Sequence, residues 1–211
     1  MRMRKKKHLT ERMDKVSEYM IVSDGEHKLS FREIFGNDNP VHIEIGCGKG
    51  RFINGKAEKY PDVNFIGIER VYDVLLLAME KAGESGHKNL RFMGCDAAIL
   101  LDAFGENSID TIYLNFSDPW PKARHEKRRL TYKSFLSLYK SLLKPNCPLI
   151  IKTDNRPFFD YSVESLKEFG ANIEKISYDL HAENPSDNIE TEYEQRFSAL
   201  GVPINYCKAY L

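Results

Sequence analysis

Short apolar runs alternating with amphipathic helical patterns are the feature that most restricts what this 211-residue chain can fold into. Val41-His42-Ile43-Glu44-Ile45 reads as a strand and ends at Gly46. A helical stretch over 51–60 stops at Pro61, and a second strand covers 63–68. Residues 71–82 put Val74, Leu75, Ala78 and Met79 on one helical face, with Gly83 and Gly86 closing the pattern. A strand over 90–93, a short helix over 97–103, a strand over 109–114 and a helix over 131–143 follow. A strand over 148–152, a helix over 158–169 and two further strands over 173–180 and 204–210 complete the series. This alternation predicts an α/β fold with one mostly parallel sheet and helices on both faces. Residues 1–40 read as a basic tail with a helical extension, and 41–211 as a single domain.

Composition narrows the class. Hydrophobic residues make up 42% and charged residues 29%, which argues against a disordered or fibrous chain. No apolar run approaches the ~18–20 residues that a membrane span requires. The basic start has no apolar region behind it, so it does not read as a secretory signal. Cys47, Cys95, Cys147 and Cys207 are far apart, and the six histidines show no metal-ligand spacing; a reduced, cytoplasmic protein without a metal or a membrane anchor is expected. The 31 basic and 31 acidic residues cancel, but they are blocked. Arg2, Arg4, Lys5, Lys6 and Lys7 crowd the start, Lys122, Arg124, Lys127, Arg128, Arg129 and Lys133 crowd the middle, and Glu183, Asp187, Glu190, Glu192 and Glu194 stand together. Most such runs are solvated faces. The central one flanks a candidate pocket.

That pocket follows from topology, because ligands of doubly wound sheets bind outside the carboxyl ends of the strands. The first strand leads into Gly46-Cys47-Gly48-Lys49-Gly50, a G-x-G-x-G turn that lets backbone amides approach a ligand. The third glycine comes one residue too early for the dinucleotide fingerprint, and no phosphate-loop G-K-[ST] is present. Glu69 after the second strand stands where an acid accepts from ribose hydroxyls, and Asp96 after the third can accept from an exocyclic amine. Each acid alone could be a helix cap. The fourth strand ends in Asn115-Phe116-Ser117-Asp118-Pro119-Trp120-Pro121-Lys122, a proline-stiffened loop holding the only tryptophan beside a carboxylate. Such a pairing suits a flat heterocycle; the alternative is a tryptophan that plugs the core.

These residues resemble a family. The glycine turn with Glu44, Glu69 and Asp96 is similar to the cofactor motifs of class I S-adenosylmethionine-dependent methyltransferases. The 115–122 loop, with Arg124-His125 and Lys127-Arg128-Arg129-Leu130 behind it, resembles the signature of the bacterial tRNA guanine-N7 methyltransferases, the TrmB type. So do Lys152-Thr153-Asp154-Asn155 and Thr191-Glu192-Tyr193-Glu194 with Arg196-Phe197 and Gly201, the Asp-Asn at 154–155 being a mild departure. The resemblance implies a Rossmann-like fold with a seven-stranded sheet whose last strand is antiparallel. It implies methyl transfer from S-adenosyl-L-methionine, leaving S-adenosyl-L-homocysteine, to N7 of a guanosine in the variable loop of tRNA, by a monomer or homodimer. Glu44, Gly46, Gly48, Glu69, Asp96, Ala97 and Asp118 would hold the cofactor, with Asp118 also catalytic. Lys122, Asp154, Thr191, Glu192, Tyr193 and Glu194 would meet the substrate, and Arg124, His125, Lys127, Arg128 and Arg129 the RNA.

Rival readings fit less of the sequence. A nicotinamide oxidoreductase shares Glu69 but not the glycine spacing. A non-catalytic RNA-binding protein has no use for three cofactor acids. Another class I RNA or amino-group methyltransferase shares the cofactor half, but an amino-methyltransferase loop would usually carry two prolines before its aromatic residue, where this chain has one before Trp120.

Overall fold

The computed structural model describes residues 9–211. The tail carrying Arg2 to Lys7 lies outside the described residues.

One eight-stranded sheet organises the chain in the order β1-β4-β3-β2-β5-β6-β8-β7. The strands are β1 (Met20–Ile21), β2 (Val41–Ile45), β3 (Asn64–Ile68), β4 (Leu90–Met93), β5 (Thr111–Asn115), β6 (Pro148–Thr153), β7 (Asn172–Ser177) and β8 (Asn205–Tyr210). Strand β8 runs antiparallel to both neighbours, and all other pairings are parallel. Seven strands and the antiparallel last one match the expectation. The eighth, β1, is a two-residue edge strand on β4, too short for any periodicity to announce. Strands β3 and β5 are buried along their whole length, as parallel strands covered on both faces must be.

Alternate residues feed two apolar clusters. Ile43, Ile66, Ile112 and Ile151 join α5 (Leu100–Phe104), α6 (Lys133–Leu142) and α7 (Arg156–Phe169) on one side. Phe65 and Cys47 join α3 (Arg51–Lys59) and α4 (Tyr72–Ser85) on the other, where Val16 and Tyr19 also pack. The short helix α1 (Leu9–Asp14) lies on this side, Arg12 gripping Glu80 of α4 through two hydrogen bonds of 2.8 and 2.6 Å. Helix α2 (Phe31–Phe35) packs on the first cluster, Phe31 lying 5.2 Å from Phe104. Residues 9–40 thus dock on the sheet through β1, α1 and α2. Helix α4 runs through Gly83 and stops only at Gly86, which is left-handed. The end of the acid-rich stretch, for which the residue pattern predicted no element, forms α8 (Glu192–Ser198), started by Thr191 and Glu194 in a reciprocal capping box.

The strand order reverses between β2 and β5, which opens a crevice above their carboxyl ends. Gly46, Gly48 and Gly50, in the turn that follows β2, all have positive φ. At Gly50 the requirement is also spatial: an added Cβ would stand 2.5 Å from Ala78 Cβ and 3.0 Å from its Cα on α4. Gly50→Ala is therefore expected to lower unfolding stability by about 1–3 kcal/mol in urea titration, since the backbone must strain and the helix must shift.

Candidate active site

A cleft of about 710 Å³ opens at this reversal. It gathers Gly46, Glu69, Asp96, Ala97, Asp118, Lys127 and Arg128 from the expected residues, with Ile45, Arg70, Cys95, Phe116, Ser117, Trp120, Leu130 and Phe135. Four strand ends supply the walls. Glu69 ties the floor together, its carboxylate accepting from Gly48 N at 3.3 Å and Val71 N at 2.9 Å. Asp96 is both a cap and a lining residue: Oδ1 accepts from Ala98 N at 3.0 Å, while the side chain stays 56% exposed with Oδ2 3.9 Å from Arg70. Gly48 reaches the cleft only through Glu69.

Glu44, next in the chain to Ile45 of the lining, does not itself line the cleft and is 2% exposed. Oε1 accepts from Asn115 Nδ2 at 2.8 Å, and Oε2 is buried without a partner. Burial pushes the carboxyl up to about 8, only partly offset by Asn115 and Lys152. Asn115 Oδ1 and Ser117 Oγ are also buried without partners. Unmet polar atoms around a half-satisfied acid, with Ser117 among the cleft's lining residues, fit a cationic amino group, which is what the methionine part of S-adenosylmethionine would present.

The 115–122 loop is braced rather than flexible. Arg129 donates from Nε to Pro119 O at 3.2 Å and from Nη2 to Trp120 O at 3.1 Å, and its guanidinium lies 4.1 Å from the Tyr161 ring centroid. Two nitrogens of this guanidinium, Nε and Nη2, are thus engaged by loop carbonyls. Arg128 stacks over Trp120 at 4.9 Å, and His125 meets the indole edge-on at 5.6 Å. Trp120 is half-buried and lines the cleft, so it does not plug the core. Lys122 and Arg124 are exposed, Lys122 starting a 3₁₀ turn over Ala123–Arg128.

The 191–194 segment packs beside the cleft through Tyr193 on Phe116, and is tied down by a lysine to which the residue pattern gave no role. Lys152, 3% exposed on β6, donates to Glu194 Oε2 at 2.6 Å, Ile189 O at 3.0 Å and Asn188 Oδ1 at 3.1 Å. Glu194 is fully buried and also accepts from Asn188 Nδ2 at 2.9 Å and His181 Nε2 at 3.0 Å. Burial opposes its charge, but Lys152 and these hydrogen bonds hold it below the ordinary carboxylate value. Glu194 and the buried Thr191 are thus engaged by protein partners, with both oxygens of the Glu194 carboxylate hydrogen-bonded. Tyr193 is 46% exposed and packs on Phe116 of the cleft at 5.2 Å. Burial, then Asp154, pushes its phenol up, so Asp154 lies on the same side. Glu192 pairs with Lys81 of α4, joining the two halves of the site. The departure at 154–155 has a structural use: Asn155 caps α7, accepting from Phe158 N at 2.9 Å.

With this geometry in place, comparisons with known proteins decide the family. A family model described as putative methyltransferase matches residues 38–207. The tRNA (guanine-N(7)-)-methyltransferase of Bacillus velezensis is 47% identical over 204 residues, covering 97% of this chain and 94% of the relative. The chain belongs to this methyltransferase family. The enzyme of the same name from Streptococcus thermophilus is also 47% identical, over 97% of this chain and 96% of its own length. Among solved structures, the 16S rRNA methyltransferase KamB superposes with a TM-score of 0.66 at 14% identity, over 90% of this chain and 94% of that one. An antibiotic-related methyltransferase gives 0.65 at 19% identity, over 90% and 100%. At such identities these two speak for the Rossmann-like methyltransferase fold alone.

The buried pair yields a sharp expectation. Lys152→Met leaves Glu194 charged and unpaired inside the protein, so unfolding stability should fall by about 3–5 kcal/mol. Lys81→Met breaks a half-exposed pair and should cost under about 1 kcal/mol. Urea titration of both variants checks the contrast.

Proposed function

We propose that this protein transfers the methyl group of S-adenosyl-L-methionine to N7 of a guanosine in the variable loop of tRNA, in the cytoplasm. The observation that carries the reading is the cleft in which Glu69 and Asp96, at two strand ends, meet Asp118 at a third. The relatives' printed name supplies the reaction.

The cofactor supplies an electrophilic methyl on a sulfonium. Glu44 and the glycine turn receive its amino-acid part, Glu69 its ribose, and Asp96 with Ala97 its adenine. Guanine N7 already carries an in-plane lone pair, so the new N–CH₃ bond forms as the S–CH₃ bond breaks, and no proton has to leave. The positive charge moves from sulfur to the purine. The protein's work is therefore alignment at about 3–3.5 Å and exclusion of water, together with negative charge near the ring that becomes cationic. Asp118 provides that charge and accepts from the guanine N–H edge. Lys122, Asp154, Glu192 and Tyr193 border the substrate, and Arg124, His125, Lys127 and Arg128 face its phosphates.

Labelled methyl transfer to unmodified tRNA, followed by nucleoside analysis, tests the reaction: 7-methylguanosine is expected. Asp118→Asn keeps shape but turns an acceptor into a donor facing guanine N–H groups. Turnover should fall by roughly 10²-fold or more while tRNA affinity is kept. Near-normal turnover would reduce Asp118 to a loop-shaping role.

Glu44 adds a pH signature. Its carboxyl is raised from 4.5 to about 8 in the ligand-free fold, so the fold binds more protons than the unfolded chain between these values. This contribution to stability is complete below pH 4.5 and is lost as pH rises through about 8. A bound ammonium reverses the preference and favours the carboxylate. Cofactor binding at pH 7 should therefore release a proton. Calorimetry in buffers of different ionisation enthalpy should show the release in the wild type and its loss in Glu44→Gln.

A further inference from the structure

The end of the cleft nearest α8 is built from an aromatic residue in a costly conformation. Phe116 and Trp120 both line the cleft, with φ of 52° and 40°. Every other residue of positive φ among the described residues is glycine or asparagine. A bulky side chain persists in the left-handed region only where its surroundings over-determine it, and such residues cluster at functional sites. The surroundings of Phe116 meet that condition. Its N–H donates to Lys152 O at 2.8 Å, which fixes the backbone to β6. Its ring rests on Tyr193 at 5.2 Å, Tyr193 stacks on Phe197 at 4.3 Å with an interplanar angle of 22°, and Arg196 lies 5.8 Å from the Phe197 centroid. Lys152, through Asn188, Ile189 and Glu194, also holds the start of the helix that carries Tyr193 and Phe197. One lysine therefore fixes both the ring and its backing.

Core filling does not explain this arrangement. Phe116 is only half-buried, and it lines open space two residues from Asp118. A ring supported from behind and open in front is a stacking platform, and every nucleobase offers a π-face to one.

We propose that Phe116 is the stacking surface for the target guanine, holding the base plane while Asp118 addresses its edge. The proposal rests on the reading of the substrate given above. Tyr193 and Phe197 act behind Phe116 as positioning residues.

The test places a fluorescent guanine analogue at the methylated position of tRNA and adds the full-length protein with S-adenosylhomocysteine. Stacking on Phe116 should quench the analogue. Phe116→Leu and Phe116→Met keep apolar bulk without a π-face. In both, the quench should disappear and kcat/KM for unmodified tRNA should fall about tenfold or more. The affinity for S-adenosylmethionine and the salt dependence of tRNA binding should stay as in the wild type, because neither depends on the ring. Phe116→Tyr should restore quench and turnover. A leucine or methionine variant that quenches like the wild type overturns the proposal, whether or not its turnover has fallen. A wild type that leaves tRNA unmethylated overturns the substrate reading and this inference with it, so the two failures are distinguishable.

Discussion

The adjacency of β2 and β5 is the constraint on which the rest of the structure depends. Crossovers leave these two strands toward opposite edges of the sheet, so nothing covers the crevice between their carboxyl ends. The register of the sheet then brings polar residues from three strands together. Glu44 pairs with Tyr113 across β2 and β5, and Asn115 with Lys152 across β5 and β6. With a side-chain period of two, Glu44, Asn115 and Lys152 face α3, whereas Ile43, Leu114 and Ile151 between them face the opposite layer.

Burying three polar side chains side by side requires partners for each. Asn115 satisfies one oxygen of Glu44, and Lys152 finds its acceptors on the 188–194 segment. That segment is drawn across α3, where Ile189 approaches Gly55 so closely that a Cβ there would stand 2.9 Å away. The acidic block is thereby dispersed: Glu183 goes to Lys175, Glu192 to Lys81 and Glu194 to Lys152. What looks like a cluster of like charges in the chain is a set of separate ion pairs in the fold. Two acceptors of this group remain unmet, the second oxygen of Glu44 and Asn115 Oδ1.

Much of this was legible in the chain, for identifiable reasons. Strand β2 and the strand Leu90–Met93 stand at the residues read from their apolar runs, because fully buried parallel strands leave continuous hydrophobic signatures. Glu69, Asp96 and Asp118 share a cleft because a parallel sheet sends every such loop to one edge. Helix α8 was legible too, in the Thr191-x-x-Glu194 capping box, but the surrounding acids masked it. Arg129 could not be separated from Arg128 by sequence: adjacent residues of one basic run point differently, one at the Trp120 ring and one at backbone carbonyls.

The sequence by itself determined the alternation of strands and helices, the glycine turn, the acids at strand ends and the loop around Asp118, since each is written in contiguous residues with a local physical cause. Tertiary structure alone decided which charges are spent and which are free. Lys152 and Glu194 are 42 residues apart, and Glu44 and Asn115 are 71 apart. Whether a carboxylate is paired, half-paired or open depends on what the fold packs beside it, and so does the support that keeps Phe116 left-handed. Burial removes water as the alternative partner, so such distant contacts, rather than the residue types, set the charge and the rigidity of the site.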